Sequence, residues 1–281
     1  MPMPYSFTHV LSIMNRYFSL ITAAVITLLF IGCAKDNMEP NKATDHALKI
    51  AEGYAIGAGV HVQLYAAAPL TTGYNFVSIA LTDSVSGQSI EEAPITIMPM
   101  MDMGTMKHSA PVENPASKAS NKRFNGALVF TMPSGSMGSW AVEVTVTVNG
   151  RQGKATLPVT ITEPRQSKLK SFVSKVDNKK YWVALVQPTA PKVGVNDLEL
   201  AIYEAKGMMA FPADSSLAVA VTPEMPTMGH GSPNNIDPVH IGKGHYKGKV
   251  NFTMTGLWYL NLNFKKGDAV ADNATFFEVN F

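Results

Sequence analysis

The residues of this chain best able to do chemistry are methionines and histidines gathered in two places. The first is Met98-Pro-Met-Met-Asp-Met-Gly-Thr-Met-Lys-His108, which holds five methionines before its histidine. The second is Met225-Pro-Thr-Met-Gly-His230, followed by a Gly-, Pro- and Asn-rich stretch carrying His240 and His245. Thioether sulfur is a soft, neutral ligand suited to Cu(I), and imidazole suits both copper oxidation states. A Met and His cluster without Cys or carboxylates therefore favours copper over zinc, calcium or magnesium. Met100 and Met103, like Met225 and Met228, are three apart, and a bend at Pro or Gly brings both sulfurs to one side as a straight strand does not. One candidate ion is assigned to Met100, Met103, Met106 and His108, the other to Met225, Met228, His230 and His245. The first set is richer in sulfur and biased to Cu(I), because Arg123 stands where the second copy has His245 and nothing answers to His240.

A metal-free reading stands beside this one. Methionine fills irregular cores, and a Met-rich loop over the end of a sheet needs no ion. Met98, Met132 and Met254 are read that way, the last two because they continue the alternations Leu128, Phe130 and Val250, Phe252. Trp140, Trp258, Phe124 and Tyr246 are read as core, His46 as a tether residue and His61 as a strand-surface residue. No catalytic constellation is visible: there is no G-x-S-x-G elbow, H-E-x-x-H or glycine-rich phosphate loop. The run Pro133-Ser-Gly-Ser-Met-Gly138 reads as a turn, and the chain is expected not to be an enzyme.

The ligands need a scaffold, and the composition supplies one. Of 281 residues 46% are apolar, enough for a buried core, and the net charge of +2 is not gathered into basic runs, which argues against nucleic acid. Residues 1–32 carry one Arg16, no acid and an apolar run from Phe18 to Gly32, the pattern of a signal peptide. Leu29-Phe30-Ile31-Gly32-Cys33 is similar to the bacterial lipobox, which implies lipidation of Cys33, the single cysteine. The alternative is an uncleaved anchor helix, and either reading puts the remainder in the cell envelope, on its periplasmic or outer face, attached to a membrane. With no second cysteine the mature chain has no disulfide, so packing must hold it together.

Residues 33–53 read as a polar tether, with a short helix over Thr44 to Glu52. Beyond it the period becomes two. β-branched alternating runs such as Val60 to Tyr65, Phe76 to Thr82 and Trp140 to Val148 are divided by turn residues, and Asn149-Gly150 marks a type I′ hairpin. Glu163 to Lys170 interrupts, and a second series runs from Tyr181 to Phe281. The expected fold is all-β: two tandem immunoglobulin-like sandwiches, over residues 54–165 and 166–281. The halves are also alike in sequence. Pro99 to Gly104 aligns with Glu224 to Gly229, Phe124-Asn-Gly126 with Tyr246-Lys-Gly248, Phe130-Thr-Met132 with Phe252-Thr-Met254, and Gly138-Ser-Trp140 with Gly256-Leu-Trp258.

These four patches resemble the YtkA-like and FixH-like domains of bacterial envelope proteins, whose pattern runs from a Met- and Pro-rich segment with histidine, through aromatic-x-Gly and a short apolar strand, to Gly-x-Trp. The resemblance covers most of both halves. It implies an immunoglobulin-type sandwich and a context of copper handling or assembly of copper oxidases, with a copper donor or acceptor protein as partner. The chain departs from FixH-like proteins in having two domains and no convincing transmembrane anchor. The competing expectation is a tandem-domain scaffold or adhesion lipoprotein, whose methionine loops form an apolar contact for a protein partner.

Overall fold

The computed structural model describes residues 47–281 and is built almost entirely of strands. The first series is β1 (Leu48–Ala55), β2 (Val60–Ala66), β3 (Gly73–Asp83), β4 (Ser89–Ile90), β5 (Ile95–Asp102), β6 (Lys107–Ser109), β7 (Val112–Glu113), β8 (Phe124–Phe130), β9 (Ser139–Val148) and β10 (Arg151–Val159). They form two antiparallel sheets, β1-β2-β3-β8-β7 with β4 beside β3, and β10-β9-β5-β6. The second series is β11 (Leu169–Val173), β12 (Lys180–Gln187), β13 (Gly194–Glu204), β14 (Ala218–Met225), β15 (His230–Gly231), β16 (Ile236–Gly242), β17 (His245–Phe252), β18 (Leu257–Lys266), β19 (Ala269–Asp272) and β20 (Phe276–Asn280). Its sheets are β11-β12-β13-β17-β16 and β15-β14-β18-β19, with β20 beside β18. The expected all-β pair of immunoglobulin-like sandwiches is what the chain forms.

The alternation that announces the strands is the one that fills the cores. In β9 the inward residues are Trp140, Val142, Val144 and Val146; in β18 they are Trp258, Leu260, Leu262 and Phe264, all buried. Burying each such side chain contributes about 1.5–3 kcal/mol. Asn149 and Gly150 take φ of +51° and +74°, as a type I′ turn requires, and join β9 to β10 with Arg151 opposite Val148. The N-terminal expectation needs correction. Leu48 to Ala55 is a strand pairing with β2, so neither a helix to Glu52 nor a tether to residue 53 is present; Ile50 and Ala51 pack against the first core, and apolar burial wins over local helix signals. Cys33, His46 and the apolar run before Cys33 lie outside the described residues, among which no helix is long and apolar enough to cross a membrane.

Two of the repeated sequence patches have a common steric cause. Gly138 and Gly256, two residues before the buried tryptophans, have φ of +146° and +128°. A Cβ on Gly138 would collide with the backbone oxygen of Asp102 and crowd the methyl of Met101, while one on Gly256 would stand 3.2 Å from the methyl of Met225. Gly-x-Trp thus leaves room for a core methionine beneath the indole. Likewise a Cβ on Gly126 or Gly248 would strike the neighbouring strand at Glu113 or Ile236, so aromatic-x-Gly lets β7 and β16 close onto β8 and β17. Gly138→Ala is expected to cost roughly 2–4 kcal/mol and Gly256→Ala about 1–2 kcal/mol, since only the first meets backbone. Urea unfolding of the two variants checks the order, which equal losses would contradict.

Candidate metal centre

The methionine clusters are hairpins and not loops. β5 carries Met98 to Asp102 and returns as β6 with Met101 opposite His108 and Met100 opposite Ser109. β14 ends at Met225, which stands opposite His230 on β15. On the other side Met101 faces Trp140, and Glu224 faces Tyr259, which places Met225 opposite Trp258. Directly opposed residues share a sheet face, so each sandwich has a row of histidine, methionine and tryptophan across three strands: His108, Met101, Trp140 and His230, Met225, Trp258. The structure therefore matches Met225 with Met101, one residue later than the sequence alignment, which had paired it with Met100.

The histidine at the end of each row is oriented by its own backbone. His108 Nδ1 lies 2.8 Å from the Ser109 carbonyl oxygen, and His230 Nδ1 lies 3.0 Å from that of Gly231. A carbonyl only accepts, so in the neutral ring Nδ1 carries the hydrogen and Nε2 is left with a lone pair. His108 Nε2 faces Met132 Sδ at 3.3 Å. In that neutral tautomer Nε2 and Sδ both present lone pairs, and imidazole with thioether is a donor set suited to Cu(I).

Tryptophan fixes the partner. Trp140 Nε1–H donates to the Met132 carbonyl at 3.0 Å, and Trp258 Nε1–H to the Met254 carbonyl at 3.0 Å. The same indoles pack edge-on against the histidines, with ring centroids 5.3 Å apart for His108 and 5.7 Å for His230. Each indole thus holds both the imidazole and the backbone of the methionine that follows β8 or β17. Among the described residues no group of three or more His, Cys, Asp or Glu is placed to hold a metal.

Several sequence-assigned ligands are placed elsewhere. Met225 is 3% exposed and belongs to the second core, because the outward bend expected at Pro226 comes after it. Met100 is half-buried on the face of β5 opposite Met101, Met103 packs against the first core, and Met106 is exposed. Met228 is 61% exposed on the turn between β14 and β15. Two core assignments also change: Met98 is exposed on the outer face of β5, and Met254 is 40% exposed. Met132 is half-buried and packs against the first core as read, with its sulfur also on His108. β17 ends at Phe252, so the alternation that pointed Met254 inward has already stopped. Trp140, Trp258, Phe124 and Tyr246 are buried as expected, and His61 lies on a strand surface, stacked on Tyr54 at 4.7 Å.

His245 is not a free ligand. Its Nε2 donates to Glu113 of the first sandwich at 2.7 Å and its Nδ1 to Glu199 at 2.8 Å, so both nitrogens are committed. Tyr203 donates to the same Glu113 oxygen at 2.8 Å, Tyr74 packs edge-on to the imidazole, and Lys247 stands 3.6 Å from Glu199. Around them Val129, Leu169, Ala184, Ala201 and Tyr203 form a small core at the junction. Burial pushes the His245 pKa down, but the two carboxylates outweigh it and raise it to about 9. Burial likewise works to raise Glu113, and His245 with the tyrosine hydroxyls brings it below the ordinary value; hydrogen bonding to His245 does the same for Glu199.

Beside His108 and Met132 the junction opens into a cleft of about 310 Å³ whose other wall comes from the second sandwich, including Trp182, Met208 and Phe211. Met208 has no counterpart in the sequence analysis; the signal was the Met208-Met209 doublet after Gly207.

A family described as YtkA-like matches residues 175–263, within the second sandwich. No curated protein matches the chain. Among solved structures, the Escherichia coli adhesin FdeC is 13% identical with a TM-score of 0.27, over 80% of this chain and 64% of the adhesin chain. Domains 5–6 of the S-layer protein SbsC are 11% identical with a TM-score of 0.27, over 83% of this chain and 97% of theirs. At that score neither likeness bears on function. The fold and the site define an all-β protein of two sandwiches, the second of which matches the YtkA-like family.

The ion pairs at the junction make stability depend on pH. The His245 contribution is complete below 6.5, its ordinary value, and lost as pH rises through about 9. The Glu113 and Glu199 contributions are complete above the ordinary 4.5 and lost as pH falls through their lowered values. Thermal unfolding should be highest between these limits and decline toward pH 9. His245→Gln should cost roughly 2–3 kcal/mol at pH 6 and flatten the alkaline decline. An unchanged alkaline decline in the variant would contradict the assignment.

Proposed function

We propose that the protein is a lipid-anchored envelope protein, attached through Cys33, that carries Cu(I) on one histidine–methionine pair in each of two YtkA-like domains. The first sandwich is taken as a second copy because it repeats the row of histidine, methionine and tryptophan, the indole-to-methionine hydrogen bond and the positive-φ glycine. What carries the reading is the approach of His108 Nε2 to Met132 Sδ at 3.3 Å while Nδ1 is held by a carbonyl. In the second sandwich His230 and Met254 occupy the equivalent positions, and the exposed Met228 supplies a further sulfur from the adjoining turn. His245, spent on two carboxylates, is not a ligand.

Bound copper would sit at the end of each sandwich, against the edge of a buried indole that keeps water from one side. Neutral donors leave Cu(I) with its single charge and no group placed for redox chemistry, which suits a carrier more than a catalyst. Copper trafficking or assembly of a copper oxidase, with a donor or acceptor protein at the membrane surface, is the role that the YtkA-like likeness suggests.

The test is a Cu(I) titration of the full chain in detergent against a competing chelator, with Cys33→Ser to remove the thiol. Two equivalents are expected; His108→Ala and His230→Ala should each weaken one site at least about tenfold, while His245→Gln leaves the His230 site at unchanged affinity. Failure of the chain to outcompete a chelator of ordinary strength would leave a tandem scaffold whose methionines contact protein.

A further inference from the structure

The geometry points to Met208 as a third donor to the first site, which makes that site a joint product of both sandwiches. The inference rests on the copper reading above and adds a ligand and a consequence to it. Met208 lies at the tip of the hairpin between β13 and β14, closed by Glu204 N–H to Pro212 O at 2.9 Å and Lys206 N–H to Ala210 O at 2.8 Å. The tip reaches the first sandwich: Ser109 N–H donates to the Met208 carbonyl at 2.8 Å. The residue beside His108 is thus pinned to the backbone of Met208.

His108, Met132 and Met208 then line one cleft of about 310 Å³, with Trp182 and Phe211 as apolar walls. Met208 is 45% exposed, so its side chain is not spent on core packing. With three rotatable bonds its sulfur has the reach to turn toward the His108–Met132 pair. Lys180 also lines the cleft, its ammonium 4.7 Å over the Trp182 ring. A fixed positive charge penalises a divalent ion twice as much as a monovalent one, so the cleft selects Cu(I) over Cu(II).

The consequence is a difference between the sites. The His230 site draws its donors from one sandwich and is insensitive to the junction. The cleft site needs both, so a bound ion ties the sandwiches together, and loosening the Glu113–His245 junction weakens the ion's hold.

The test uses the full chain with Cys33→Ser and with His230→Ala to silence the second site, loaded with Cu(I) and read by X-ray absorption and chelator competition. Met208→Leu keeps the apolar volume and removes the sulfur. It should lower the sulfur count around copper from two to one and weaken binding about tenfold, while Met209→Leu changes neither. Unchanged sulfur count and affinity in Met208→Leu would overturn the inference and make Met208 a cover for Trp182, leaving the His108–Met132 site intact. If His108→Ala also left copper binding unchanged, the copper reading itself would fall.

Discussion

Each sandwich is closed at one end by the same hydrogen bond, from a buried indole N–H to the carbonyl of the methionine just past a core strand. A buried indole nitrogen must find an acceptor, or the desolvation cost of about 1–3 kcal/mol goes uncompensated. Trp140 and Trp258 find theirs in Met132 and Met254. That single bond sets where the chain leaves the sheet, and in the first sandwich it brings the Met132 thioether beside His108, which packs on the edge of the same indole. The positive-φ glycines before each tryptophan belong to this arrangement, because they make room for the methionine that lies between imidazole and indole in the row.

A second constraint acts between the sandwiches. His245 lies between Glu113 and Glu199, and Tyr203 shares the Glu113 oxygen. His245 and Tyr203 reach Glu113 from the second sandwich while Tyr74 meets it from the first, and together with the apolar patch around Val129 these contacts orient one sandwich on the other. The cleft beside His108 exists because of that orientation. Histidine in this chain thus has two uses: His108 and His230 turn Nδ1 to a backbone carbonyl and no ring nitrogen to a carboxylate, whereas His245 has both nitrogens on carboxylates.

Much of the fold was legible in the sequence. Period-two alternation with Gly, Pro and Asn breaks marks the strands, Asn149-Gly150 marks its hairpin, and the repeated patches other than the methionine one mark equivalent positions in two sandwiches. The site was legible only in part. That methionine and histidine cluster is plain, but which methionine faces which way depends on register, and a slip of one residue moves a side chain to the other face. That slip separates Met100 from Met101 and made the core residue Met225 look like a ligand. Met254 was misread for a related reason, since an alternation read from sequence carries no sign of the residue at which the strand stops, and Met132, which packs on the core as read, gave no sign of its contact with His108. The role of His245 was beyond local reading, because its partner Glu113 lies 132 residues away along the chain.

The central claim is that a soft cation is held between imidazole Nε2 and thioether sulfur at the end of each sandwich. Its most direct test is a nuclear magnetic resonance titration of the chain, with labelled histidine nitrogens and methionine methyls, using Ag(I) as a diamagnetic substitute for Cu(I). The account predicts that Nε2 of His108 and His230 and the methyls of Met132 and Met254 shift together and saturate at two equivalents, while His245 does not move. Shifts confined to exposed methionines such as Met106, with both imidazoles unmoved, would contradict it.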